Sequence, residues 1–156
     1  MAELKARLQA DLTAAMKNRE KVRLATLRMA LAGISTEEVS GDTARELTDD
    51  EVRRVLNREV RKRKEAAEAF AGAGRAEQAR AELEEADVLA DYLPKQLDDA
   101  ELASLVSGAV TEVAEQLGFA PGPKQLGQVM KAANARVAGR AEGGRVAAAA
   151  RALLTN

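Results

Sequence analysis

The sequence predicts an all-α protein made of an N-terminal four-helix unit and a small C-terminal three-helix domain. Its apolar content is dominated by 34 Ala, 18 Leu and 12 Val, against a single Ile and three aromatic residues. Strands draw on β-branched and aromatic side chains, whereas Ala and Leu are strong helix formers. Apolar residues also recur at the three- and four-residue spacing of helices along the chain.

The first two predicted helices span residues 2–17 and 19–39. Leucines recur every four residues in the first, beginning at Leu4, and Asn18 ends it. The second carries two apolar rows on different faces, Leu24-Leu27-Leu31-Ile34 and Val22-Ala25-Met29-Ala32. Because both faces are apolar, we expect this helix to be the most buried one.

The third predicted helix begins with a capping signal and runs to about residue 70, where glycines interrupt it. Thr48 is the predicted N-cap, and Glu51 three residues later closes a capping box. The fourth helix, residues 75–92, ends before Pro94, because proline disfavours helical backbone at the preceding residue. Its expected core face is the row Ala76-Ala79-Leu83-Ala86-Ala90.

Three further helices are predicted at residues 98–117, 123–137 and 143–154. The first begins at a second acidic cap, Asp98, and the glycine-rich segment 139–144 separates the other two. The apolar positions of the last are Val146, Ala149/Ala150 and Leu153. A boundary near residues 94–97 separates residues 1–94, a helical bundle, from residues 95–156, a tail domain of three helices.

The composition excludes several classes of chemistry. There is no Cys and no His, so disulfides, thiolate nucleophiles, imidazole bases and ordinary transition-metal sites are absent. We therefore assign no catalytic residue, metal site or cofactor. The sequence also lacks a signal peptide and an apolar stretch of about 20 residues, so a cytoplasmic protein without a membrane role is expected.

Charge is balanced in total and polarised locally. Residues 53–64 carry seven basic groups and one acid, whereas residues 65–91 carry eight acids and two basic groups. The basic helix can hold phosphates through Arg54, Arg58, Arg61 and Lys62 on one face. The alternative, which is the commoner outcome for charge runs, is a lattice of ion pairs with the acidic helix that follows.

The tail carries a more specific pattern. Lys124, Gln128 and Lys131 lie at i, i+4 and i+7 on one predicted helix face, and three arginines flank the glycine-rich turn, Arg136, Arg140 and Arg145. Backbone N–H groups at the following helix start, with Gly143 and Gly144, can receive an anion. In the alternative reading, the glycines serve only the tight turn of a helix hairpin.

Several separated motifs resemble the YqeY-like family of small bacterial proteins. They are Glu59-Val60-Arg61-Lys62-Arg63-Lys64, Tyr92-Leu93-Pro94-Lys95-Gln96-Leu97, Gly127-Gln128-Val129-Met130-Lys131 and Gly139-Arg140-Ala141-Glu142-Gly143. The C-terminal part is also similar to the tail of the B subunit of the aspartyl/glutamyl-tRNA amidotransferase, where the tail helps to recognise tRNA. A carbon–nitrogen ligase label, with glutamine as amide donor, would by this resemblance be inherited from the larger enzyme.

Two functional hypotheses follow. In the first, the chain is an accessory module that binds tRNA or another structured RNA through the tail residues Lys124, Gln128, Lys131, Arg136, Arg140 and Arg145. In the second, it is an adaptor with no nucleic-acid role that binds a protein partner through residues 1–94. Catalysis within an amidotransferase complex is the least favoured possibility, because the chain supplies no Cys or His.

Overall fold

The computed structural model describes residues 1–154, which form seven α-helices and one 3₁₀ turn and contain no strand. The elements are α1 (Glu3–Lys17), α2 (Lys21–Glu38), α3 (Asp49–Gly72), α4 (Ala76–Ala90), α5 (Asp99–Leu117), the 3₁₀ turn (Pro123–Gln125), α6 (Leu126–Val137) and α7 (Gly143–Leu153). The all-α prediction is confirmed. The sixth predicted helix differs at its start, where residues 123–125 form the 3₁₀ turn instead.

The helices group into two compact units, each with its own core. Unit 1 comprises Met1–Leu93 and contains α1 to α4, with α3 and α4 forming its most extensive helix pair. Unit 2 begins at Pro94 and contains α5, α6 and α7. The core of unit 1 is built on five fully buried large side chains, Leu8, Leu27, Ile34, Leu56 and Leu89.

The capping hydrogen bonds predicted at the starts of α3 and α5 are present. The Thr48 hydroxyl accepts from the Glu51 backbone N–H at 3.2 Å, and the Glu51 carboxylate accepts from the Thr48 N–H at 2.9 Å. At α5, the Asp98 carboxylate accepts from the Glu101 N–H at 2.7 Å, which lowers the pKa of Asp98. These caps satisfy backbone donors that an α-helix leaves unpaired, so they define where α3 and α5 begin.

The expectation that α2 is the most buried helix is wrong. Its row containing Leu27 and Ile34 faces the core, but the opposite row is exposed to solvent. We call this exposed row the apolar stripe; it consists of Val22, Ala25, Met29 and Ala32. A bundle of four helices buries one face of each, and no fifth helix of unit 1 covers the outer face of α2.

Two other helices are rotated relative to their predicted core faces. In α4 the buried leucine is Leu89, whereas Leu83 is 46% exposed. At the end of α7, Leu154 is buried and Leu153 is exposed. In both helices alanines occupy neighbouring faces, so the apolar spacing alone did not specify which face packs. The packing partners decided the rotation.

Unit 2 has a core of small side chains. Fully buried or nearly fully buried valines and alanines from all three helices form it, namely Val106, Ala109, Val113, Val129, Ala133, Val137, Val146 and Ala150. Small side chains let helix axes approach closely. The polar residues of the tail are therefore held on the outside of a compact three-helix framework.

Candidate nucleic-acid interface

The first part of the predicted site lies on the 3₁₀ turn and α6. Lys124, Gln128 and Lys131 are exposed, whereas Val129 and Ala133 of the same helix are completely buried. Lys124 belongs to the 3₁₀ turn, so the three side chains do not share one continuous α-helical face as the spacing suggested. Within residues 1–154, neither lysine forms an ion pair, which leaves both ammonium groups available to a ligand.

Arg136 lies across α5 instead of pointing away from the unit. Its guanidinium reaches Glu112 at 3.4 Å, and it passes so close to Gly108 that a Cβ there would be 2.7 Å from Nη1. Gly108 thus gives the arginine room to cross the helix. Both members of the pair keep more than 40% of their side-chain surface exposed, so the ion pair is open to solvent.

Arg140 is used within the tail itself. Its Nε donates to the Val137 carbonyl and its Nη2 to the Arg136 carbonyl, both at 3.0 Å. Its own backbone carbonyl accepts from the Leu97 N–H at 2.8 Å. The guanidinium thus satisfies the last carbonyls of α6, where helix geometry favours a cation. This arrangement gives Arg140 a structural role that the sequence pattern did not indicate.

The turn between α6 and α7 is made at Ala138 and Gly139 rather than at Gly143 and Gly144. Ala138 and Gly139 have positive φ angles of 50° and 77°, whereas Gly143 and Gly144 belong to the first turn of α7. Glu142 is the N-cap but makes no side-chain capping bond. The N–H groups of the two glycines make no hydrogen bond to any part of the chain that the structure describes. The start of α7 therefore presents free donors.

Arg145 follows these glycines and pairs with α5. Its Nη2 lies 2.9 Å from the Asp99 carboxylate, which is fully exposed. The six predicted residues thus all lie on unit 2, and among residues 1–154 three of them make no side-chain ion pair or hydrogen bond: Lys124, Gln128 and Lys131. Two arginines hold exposed carboxylates, and Arg140 caps its own helix.

The charged helices of unit 1 do not form the expected lattice. Arg63 is buried and pairs with Glu85 of α4 at 3.2 Å and with Glu59 of its own helix at 2.8 Å. Arg58 pairs instead with Glu37 of α2. The charge-pairing prediction is therefore confirmed only at Arg63. Several charges on the two helices have no ion-pair partner among residues 1–154: Arg54, Arg61, Lys64, Glu82, Glu84, Asp87 and Asp91.

A polar cluster around Tyr92 was not anticipated from the sequence. The Tyr92 hydroxyl donates to Asp11 at 2.5 Å and accepts from Arg23 at 3.0 Å, while the Arg7 guanidinium lies 4.7 Å from the ring centre. Burial and the bond to Asp11 raise the pKa of Tyr92 to about 12. The only sequence signal was Tyr92 itself, the single tyrosine of the chain, within the Tyr-Leu-Pro motif.

The described helices carry no cluster of three or more acidic residues arranged to hold a metal ion. Over the same residues, no helix combines the length and the apolar character needed to cross a bilayer.

These features define the class of protein as an all-α chain of two small helical units, with exposed cations on its C-terminal unit. The family model described as YqeY-like protein matches residues 5–154, nearly the whole chain. The chain therefore belongs to the YqeY-like family, as its motifs indicated. No curated protein matched the chain.

Proposed function

We propose that unit 2 binds structured RNA and that the chain acts as an RNA-binding accessory module. The observation that carries this proposal is the exposed group Lys124, Gln128 and Lys131, whose two ammonium groups have no acidic partner in the described chain. Phosphate contacts by lysine and arginine supply most of the affinity of sequence-independent RNA binding. Gln128, between the two lysines in the sequence, adds hydrogen-bonding capacity.

The ion-paired arginines are further candidate phosphate contacts on unit 2. Exposed ion pairs contribute about 0–1 kcal/mol, so a phosphate can displace Glu112 from Arg136 or Asp99 from Arg145 at little cost. The free N–H groups of Gly143 and Gly144 at the start of α7 support anion binding next to Arg145 in sequence. We assign Arg140 a positioning role, because its guanidinium is committed to the carbonyls of α6.

Structured RNA is the favoured ligand rather than an extended single strand. Platforms for single strands stack successive bases on several aromatic side chains. Unit 2 has one aromatic residue, Phe119, which is 56% exposed. Recognition through phosphates and shape suits a folded RNA, and the resemblance of the tail to the amidotransferase B subunit makes tRNA the first probe. The proposed role involves no catalytic step by this chain.

A tRNA titration, followed by fluorescence anisotropy on the full chain, tests the proposal. If about three phosphates are neutralised, affinity falls by about 20- to 40-fold between about 50 and 200 mM salt. The double variant Lys124→Ala/Lys131→Ala should lose about tenfold in affinity and most of the salt dependence. The matched control, Lys17→Ala/Lys21→Ala, removes the same charge from exposed positions of unit 1 and should bind normally.

Two results would reject this function. One is the absence of tRNA binding at low salt. The other is equal affinity for the tail variant and its control, because nonspecific attraction to any cation of the protein would then explain the binding.

A further inference from the structure

The apolar stripe of α2 is an exposed surface that the RNA-binding proposal does not use. Met29 is 56% exposed and Val22 is 45% exposed, and Ala25 and Ala32 lie open between and beyond them. These residues span ten positions, or about 15 Å along the helix axis. The stripe itself contains no charged residue. Contiguous apolar surface of this kind marks interaction sites more often than scattered single residues do.

The stripe lies beside α3. Arg63 Nη2 is 3.7 Å from the Met29 sulfur, a Cβ on Gly33 would lie 3.5 Å from the Val55 side chain, and Arg58 pairs with Glu37 at 3.2 Å. Along α2, position 29 thus meets residue 63 of α3, position 33 meets residues 55 and 59, and position 37 meets residue 58.

Cations border the stripe on both long sides. On α3, the exposed cations nearest this contact are Arg58 and Lys62, whereas Arg54 and Arg61 lie about 160–180° around the helix from Arg63. On α2 itself, Lys21 and Arg28 are exposed on the opposite border, about 60–80° around the helix from the stripe. Arg58 and Lys62 have carboxylate partners, and Lys21 and Arg28 make no ion pair within the described part of the chain.

We propose that this surface binds an acidic amphipathic helix of a partner protein. An apolar seam flanked by cations on both sides is complementary to a helix that has an apolar face and acidic borders. Ala25 and Ala32 leave shallow depressions beside Met29 and Val22, which allow a second helix to approach closely. The acidic borders would reach Lys21 and Arg28 on one side and Arg58 and Lys62 of α3 on the other.

The stripe is less suited to its other possible occupants. Helices that lie in a membrane surface carry Trp, Phe or Leu on their apolar face, whereas this face has two alanines, one valine and one methionine. RNA would engage the cations of α3 but leave the apolar stripe uncovered. A second copy of the chain offers the carboxylates of α4 that are unpaired among residues 1–154, and it is tested below as a separate outcome.

The experiment uses two synthetic helical peptides of about 18 residues. Both carry Leu at positions i, i+4, i+7 and i+11, and their borders are Glu in one peptide and Lys in the other. We expect the Glu peptide to bind the full chain at least about tenfold more tightly than the Lys peptide. Ala25→Lys should weaken binding of the Glu peptide by about tenfold, because a long side chain then covers the centre of the apolar stripe.

Ala25→Lys distinguishes binding through the apolar stripe from simple charge attraction. It blocks the stripe, but it also adds a positive charge, which by itself would strengthen binding of an acidic peptide. Ala81→Lys is the matched control, an exposed alanine on α4 that lies outside the stripe and should leave peptide binding unchanged. Circular dichroism checks that both variants remain helical. Ala25→Lys should not alter tRNA binding, so this proposal and the RNA proposal can fail separately.

Four outcomes overturn the proposal. They are no saturable binding of the Glu peptide up to about 1 mM; equal affinity for both peptides; tighter binding by Ala25→Lys; and equal loss in both lysine variants. Binding of the wild type to phosphatidylserine vesicles, abolished by Ala25→Lys, would reassign the stripe to a lipid surface. Concentration-dependent dimerisation abolished by the same substitution would reassign it to a second copy.

Discussion

The Tyr92 hydroxyl connects three helices of unit 1, and Tyr92→Phe tests how much that connection stabilises the unit. Tyr92 follows α4, while its hydroxyl donates to Asp11 of α1 and accepts from Arg23 of α2. Phenylalanine keeps the ring and its packing, so no cavity forms. The Arg7 guanidinium can also remain over the ring, as it is in the wild type at 4.7 Å.

The expected loss is about 2 kcal/mol. Each hydrogen bond to a charged group contributes about 1.5–3 kcal/mol, and two such bonds disappear. The full sum is not lost, because Arg23 and Asp11 keep a direct ion pair at 3.6 Å. Both side chains are also about one-third exposed, so water can replace part of the missing hydroxyl.

Urea unfolding monitored by circular dichroism measures this loss. Thr111→Val is the matched control: it removes an exposed hydroxyl, bonded only to a backbone carbonyl of its own helix, and should change stability by less than about 0.5 kcal/mol. A double-mutant cycle with Asp11→Asn should give a coupling energy of about 1 kcal/mol. A loss below about 0.5 kcal/mol, or no coupling to Asp11, would refute the reasoning.

The same residue provides a pH test, because it is the only tyrosine of the chain. Its phenolate absorbance should titrate with a pKa of about 12 rather than the ordinary 10. Since the folded state raises this pKa, the hydroxyl stabilises the protein fully below about pH 10, and that stabilisation is lost as pH rises through about 12. The stability difference between wild type and Tyr92→Phe should shrink over that window. A titration midpoint near 10 would contradict the cluster.

Three further predictions concern single positions. Ala138→Gly should stabilise the protein by about 0.5–1 kcal/mol in urea unfolding, because Ala138 has φ 50°; a loss of stability would contradict this. Arg45 and the Thr48 cap lower the pKa of Glu51 to about 2, so the stability lost in Glu51→Gln should be constant above about pH 4.5 and vanish as pH falls through about 2. Arg63→Ala should cost about 2–3 kcal/mol, clearly more than the exposed control Arg61→Ala.

Local signals allowed the helix starts to be predicted, because each depends on atoms a few residues apart. The Thr48 capping box and the Asp98 cap were predicted from sequence patterns, and the structure contains their hydrogen bonds. The end of α4 before Pro94 has the same local origin. The buried face of α4 could not be predicted, since Leu83 and Leu89 are equally apolar and only packing against the other helices distinguished them.

The sequence predicted which residue types form the candidate site, but not which of them form ion pairs. Its exposed lysines, Lys124 and Lys131, follow from the polar side of the tail pattern. The ion pairs of Arg136 and Arg145 join residues more than 20 positions apart, so no spacing rule could have found them. The Tyr92 cluster depends on contacts across as many as 85 positions, from Arg7 to Tyr92, and it was missed for the same reason.

The sequence by itself determined the all-helical fold, the starts of α3 and α5, the family and the absence of thiol and imidazole chemistry. These follow from composition and from short-range spacing. The tertiary structure decided which apolar row of α2 is buried and which charges remain free. A helix with two apolar faces has no internal reason to bury one of them; the choice depends on which neighbours pack against it, and in this fold it leaves Val22, Ala25, Met29 and Ala32 exposed.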